Sequence, residues 1–223
     1  MNLPARILKI FGWSVHVSVP DYPKLIICVA PHTSNWDFVL CELAIHSVGR
    51  TAGFMMKSSW FFFPLGCLFR AMGGVPVERG KKKGSLVEAM VRRFCSEPRL
   101  TLAIAPEGTR KRTANWHSGF LRIAEAAHVP VALATIDGPT KTIELTTMFD
   151  PSGDIDADME RISGFLCNQL MSLYAHHDIR GFDTDHKIII AHIFDQFHFI
   201  HCALHNSLCG HTMVFFHSFP HIG

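Results

Sequence analysis

Two short apolar runs, each emptying into a polar turn that begins with proline, constrain this chain most. Residues 25–30 read Leu-Ile-Ile-Cys-Val-Ala and meet Pro31. A run this short and this rich in β-branched side chains reads as a buried strand. Thr33, Ser34 and Asn35 then supply turn and capping residues, and residues 38–47 continue as a helix. Residues 100–105 repeat the plan and run into Pro106-Glu107-Gly108-Thr109-Arg110. Strand, polar turn, helix is the repeating unit of an α/β fold.

Further pieces fit the same plan. Residues 51–56 and 129–136 read as strands, residues 74–79 as a short extended piece, and residues 84–96 and 119–128 as helices. The prediction is a single α/β domain over residues 21–171, with a largely parallel central sheet flanked by helices. Ligands of such sheets bind beyond the carboxyl ends of the strands, which places His32 and residues 107–110 on one rim. Residues 3–17 have helical spacing of Leu3, Ile7, Leu8, Ile10, Phe11 and Trp13 with Arg6 and Lys9. They suit an amphipathic membrane-surface helix over residues 1–20 or a helix packed on its own domain. Residues 172–223 hold ten of the fifteen histidines and show no clear period. No fold can be derived for this tail.

Charge and hydropathy narrow the partners. Residues 1–143 carry 18 Lys/Arg against 9 Asp/Glu, whereas residues 144–223 carry 3 against 10. The basic part suits anionic lipid or phosphate, with a solvated charged surface as the plain alternative. Mean hydropathy is +0.19, with 48% hydrophobic residues. No run of 18 uncharged apolar residues offers a membrane span. The N-terminus lacks a signal-peptide core and cleavage site. These features fit a chain that lies on a membrane. Seven cysteines without a CxxC pair fit a reduced compartment, so the expected location is the cytoplasmic face, peripheral.

The two turns carry candidate chemistry. On a regular helix, residues five apart diverge, so His32 and Asp37 meet only if His32 sits in the turn and Asp37 in the first helical turn. A carboxylate on one imidazole nitrogen then leaves the other to take a proton from a hydroxyl. Gly108 lets the second turn bend sharply and approach a ligand. Arg110 offers a planar fork for phosphate. Lys57 and Arg79, each ending an apolar or extended piece, are further candidates for the same anion. Trp60 to Phe69 is aromatic-rich and suits either core or a lipid-facing surface.

Taken together these pieces resemble the PlsC-like lysophosphatidic acid/glycerol-3-phosphate acyltransferase family. His32-Thr33-Ser34-Asn35-Trp36-Asp37 matches its H-x4-D motif, and Pro106-Glu107-Gly108-Thr109-Arg110 its P-E-G-T-R motif. Gly74-Val75-Pro76-Val77-Glu78-Arg79 looks like its block ending in Arg, and Val129-Pro130-Val131 resembles its fourth block. The resemblance covers about residues 25–136. It implies that His32 is the general base and Asp37 its orienting partner. It further implies that Glu107, Gly108, Thr109 and Arg110 shape the acceptor site, with Arg79 and Lys57 on the head group. The acyl donor would be acyl-CoA or acyl carrier protein, the acceptor a lysophospholipid hydroxyl. No cofactor, metal or nucleic acid is expected. The fourth block lacks its usual second proline, which leaves another lipid-linked alcohol open as acceptor.

Two other chemistries compete. Cys28 or Cys41 with His32 would make a thiol-dependent transferase, although a strand thiol and a helix thiol read better as inert packing. His198, His201, Cys202 and His205 would share one helical face and could hold zinc in a non-catalytic membrane- or metal-binding protein.

Overall fold

The run at residues 25–30 lies in the middle of a seven-stranded sheet. The computed structural model describes residues 1–32, 34, 36–77, 83–109 and 116–175, except the side chains of 83–85, 167 and 170–175. The strands are β1 (Ser14–Val17), β2 (Lys24–Ala30), β3 (Gly53–Lys57), β4 (Gly74–Val77), β5 (Leu100–Ile104), β6 (Val131–Asp137) and β7 (Thr142–Phe149). The helices are α1 (Leu3–Ile10), α2 (Trp36–Ser47), α3 (Leu65–Ala71), α4 (Lys83–Ser96), α5 (Gly119–Ala127) and α6 (Ile155–Ala175). Sheet order is β1-β7-β6-β2-β5-β3-β4. Strands β6, β2, β5, β3 and β4 are mutually parallel; β7 turns back antiparallel to β6, and β1 pairs parallel with β7. The expected α/β class with a largely parallel sheet is what forms.

Helices cover both faces, as the near-continuous burial of β2 and β6 demands. On one face Ile26, Cys28, Leu102, Val131 and Leu133 pack with Phe94 of α4, Phe120 and Ile123 of α5, and Ile162 and Leu166 of α6. On the other, Leu25, Ile27, Ala132, Ala134 and Leu145 pack with Ile45 of α2. Asn2 joins α1 to this layer. Its side-chain oxygen caps α1 at Ala5 N–H, while its Nδ2 donates to the carbonyls of His46 and Ser47 at the end of α2.

Two differences from expectation have local causes. The helix expected over residues 3–17 is only Leu3–Ile10, because Gly12 adopts φ +76° and Ser14 then takes up the Val-His-Val alternation of an edge strand. Leu8 of α1 is buried, while Leu3, Ile10 and Phe11 are exposed. The strand expected from residue 129 starts at Val131. His128 stands in the left-handed region at φ 52°, and the N–H groups of His128 and Val129 turn back to the carbonyls of Glu125 and Ala124. Strand β7 and the 21-residue α6 were not anticipated. The tail beyond residue 175, with its candidate zinc ligands, lies outside the described residues.

Candidate active site

The carboxyl ends of β2, β5, β3, β4 and β6 form one rim. His32 follows β2 by two residues, and Glu107 follows β5 by three. These strands are neighbours, with Cys28 beside Ile104. The two polar turns therefore stand side by side, and Lys57, the exposed last residue of β3, stands on the same rim.

In the first turn, His32 remains outside the helix and Asp37 lies in the first turn of α2. His32 Nδ1 lies 3.1 Å from Asp37 Oδ2. The same oxygen accepts the Ser34 N–H at 2.8 Å, and Asp37 Oδ1 accepts the Ser34 hydroxyl at 2.9 Å. Ser34 Oγ in turn accepts the Trp36 N–H at 3.0 Å. This is a reciprocal cap: the serine oxygen satisfies an early helix donor, and the acid three residues on reaches back to the serine N–H. The Asp37 carboxylate is thereby oriented before His32 meets it. A carboxylate accepts, so Nδ1 carries the proton and Nε2 is the basic nitrogen. His32 keeps 29% of its side chain exposed against 10% for Asp37, which leaves the base reachable and its partner sheltered.

Glu107 in the second turn is only 2% exposed. Its Oε1 accepts the backbone N–H of His32 at 3.1 Å, and its Oε2 is buried with no hydrogen-bond partner among the described residues. Burial pushes its pKa up to about 7, against the opposing pull of its backbone hydrogen bonds. The structure thus turns Glu107 inward to hold the backbone of His32. Gly108 has φ +60°, and Thr109 is partly buried beside it. Arg79 and Arg110, the remaining residues of the anticipated site, lie outside the described residues, as do Thr33 and Asn35.

The thiol alternative fares poorly on chemistry. Cys28 is fully buried, and burial followed by the Glu107 carboxylate holds its pKa well above that of a free thiol. Cys41 is pushed up to about 12 by desolvation, then by Asp37 and Glu42. Neither would form the thiolate that attack requires.

Sequence reasoning missed His117. Its backbone N–H donates to Pro106 O at 2.7 Å, and its ring lies over Gly108. The only signal in the sequence is a polar residue just ahead of the apolar face of α5.

Comparison with known proteins bears on the fold and the family. The solved structure of the 1-acyl-sn-glycerophosphate (LPA) acyltransferase PlsC from Thermotoga maritima is similar at TM-score 0.54 and 18% identity, covering 78% of each chain. No curated protein sequence matches the chain. The acyltransferase family model matches residues 15–136, more than half of the chain, from the second residue of β1 to the penultimate residue of β6. With both polar turns inside that span, the chain belongs to the acyltransferase family.

Proposed function

We propose that this acyltransferase moves a fatty acyl group from acyl-CoA or acyl carrier protein to the hydroxyl of a lysophospholipid such as 1-acyl-glycerol-3-phosphate. The observation that carries the reading is the contact of His32 Nδ1 with an Asp37 carboxylate already fixed by Ser34. In the proposed step the acceptor hydroxyl attacks the thioester carbonyl while His32 Nε2 takes its proton. The carbon–sulfur bond breaks as the tetrahedral intermediate collapses, and His32 returns the proton to the departing sulfur. Asp37 stabilises the imidazolium between these events. Lys57, Arg79 and Arg110 would hold the head group, and holding it beside the base supplies proximity.

The distribution of exposed apolar side chains supports a lipid acceptor and a peripheral position on a membrane, whose cytoplasmic face is part of the proposal. Trp36 opens α2 at the rim, and Trp60, Phe62 and Phe63 follow the rim end of β3; all four are at least half exposed. Ile10 and Phe11 come to the same end of the sheet, since Lys141 Nζ donates to Phe11 O and the Ser14 N–H to Lys141 O where β6 gives way to β7. Met1, Leu3 and Val48 are exposed by the far end of α2, so it is the aromatic residues that concentrate at the rim, as suits a binding surface. Among the described residues no helix is long and apolar enough to cross a membrane.

Labelled acyl-CoA, offered with a panel of lysophospholipids and analysed by lipid mass spectrometry, tests the proposal. Label in phosphatidate or another diacyl phospholipid is the expected result. Transfer to no lysolipid, with either CoA or carrier-protein donors, would sink it. Arg110→Ala should raise the KM for phosphorylated acceptors.

A further inference from the structure

The space above Gly108 is occupied by this chain itself. A methyl carbon on Gly108 would sit 2.7 Å from His117 Cδ2 and 3.0 Å from His117 Nε2. Glycine is needed there twice, once for the ring and once for the positive φ. The approach that the glycine offers to a ligand is therefore taken by an imidazole. The ring does not serve the core, because Gly108 and His117 are both exposed. The His117 N–H fastens it to Pro106 O, while Glu107, between Pro106 and Gly108, holds the His32 N–H. The turn at residues 106–108 thus touches the backbone of His32 through Glu107, and His117 through Pro106 and Gly108.

We propose that His117 binds the anionic head group of the acyl acceptor and sets the preference for a phosphorylated over an uncharged glycerol. The proposal rests on the lipid-hydroxyl reading above. In that reading the phosphate of the acceptor lies a few bonds from the hydroxyl at His32, and the second turn is what borders it. An imidazole N–H donates to phosphate oxygens, and an imidazolium does so more strongly. Lys57 on the same rim gives the surroundings the same polarity.

The test compares wild type, His117→Ala, His117→Gln and His117→Lys on lysophosphatidate and on monoacylglycerol, with one acyl-CoA. His117→Ala should raise the KM for lysophosphatidate about 10- to 150-fold, the worth of one hydrogen bond to a charged group. Its kcat should stay within about twofold, and its KM for monoacylglycerol should not move. His117→Lys should recover most of the loss and His117→Gln part of it. Equal losses on both acceptors, a fall in kcat alone, or no change would each overturn the proposal in favour of a ring that only fills the turn. Calorimetric titration of short-chain lysophosphatidate without donor separates this proposal from the functional one. If the wild type acylates no lipid hydroxyl, the functional reading fails, and weaker binding by His117→Ala than by wild type still supports His117. A wild type that binds no lysophosphatidate overturns the role of His117.

Discussion

The turns after β2 and β5 leave neighbouring parallel strands and begin with buried prolines, yet their acidic residues work in opposite ways. Asp37 accepts from the imidazole and from both polar groups of Ser34. Glu107 accepts from the His32 backbone on one oxygen and, among the described residues, from no donor on the other. A carboxylate that must stabilise a passing imidazolium needs its charge, and the cap around Asp37 supports that charge. A carboxyl that anchors a backbone N–H needs only an oxygen in place. Burial can then raise Glu107 to about 7 without disabling it. One turn displays chemistry and the other secures the displayed group.

Removing the displayed group should have the largest effect. His32→Ala is expected to lower kcat by about 10²- to 10⁴-fold, with an unchanged circular dichroism spectrum. Wild-type rates from a pure sample would refute the base assignment. Asp37→Asn comes next, at about 100-fold or more, because an amide can present its NH2 to Nδ1 and stabilise the wrong tautomer. If Asp37→Asn kept full activity, the distinction between the two acids would collapse.

Much of the first turn was legible beforehand, and less of the second. The Thr33-Ser34-Asn35 entry signalled a helix start, and that geometry alone permits residues five apart to meet. The parallel core strands were legible because burial on both faces leaves unbroken runs such as Leu-Ile-Ile-Cys-Val in β2. The edge was not. β1 has four residues with alternating partial exposure, and it follows a helix whose apolar spacing runs into it. The inward turn of Glu107 was also hidden, because P-E-G-T-R shows a polar residue in a turn and nothing of the backbone donor it faces. His117 was illegible for a similar reason: the glycine that accommodates it lies nine residues earlier.

Glu107 variants sharpen the comparison at the next level down. Glu107→Gln keeps an oxygen for the His32 N–H and should retain activity within about threefold, while Glu107→Ala should lose about tenfold in kcat as His32 loosens. The same variant has a pH signature. The folded pKa is raised, so the folded state binds more protons than the unfolded one between about 4.5 and 7. Stability from this group is complete below the lower value and is lost as pH rises to about 7. The loss is of order 1–3 kcal/mol. Glu42, on α2, is also raised to about 7 by burial, and His46 Nε2 approaches it to 3.5 Å without hydrogen-bond geometry. Its contribution has the same sign, so Glu107→Gln should lessen the slope of urea stability against pH without abolishing it. An unaltered slope would show that Glu107 is charged in the fold.

Ser34→Ala is the smallest and most discriminating change. It deletes the hydroxyl that accepts from Trp36 N–H and donates to Asp37 Oδ1, but keeps the backbone donor to Oδ2. The lost cap should cost about 1 kcal/mol in urea unfolding. Asp37 would still face His32 on Oδ2, so kcat should fall only about two- to fivefold. If the cap merely starts a helix, stability will fall and kcat will hold. If it aims the carboxylate, both will fall together, and the remaining Ser34 N–H contact explains why neither collapses. Loss of activity as deep as in Asp37→Asn would mean that Ser34, through its hydroxyl, matters as much to the dyad as the acid itself.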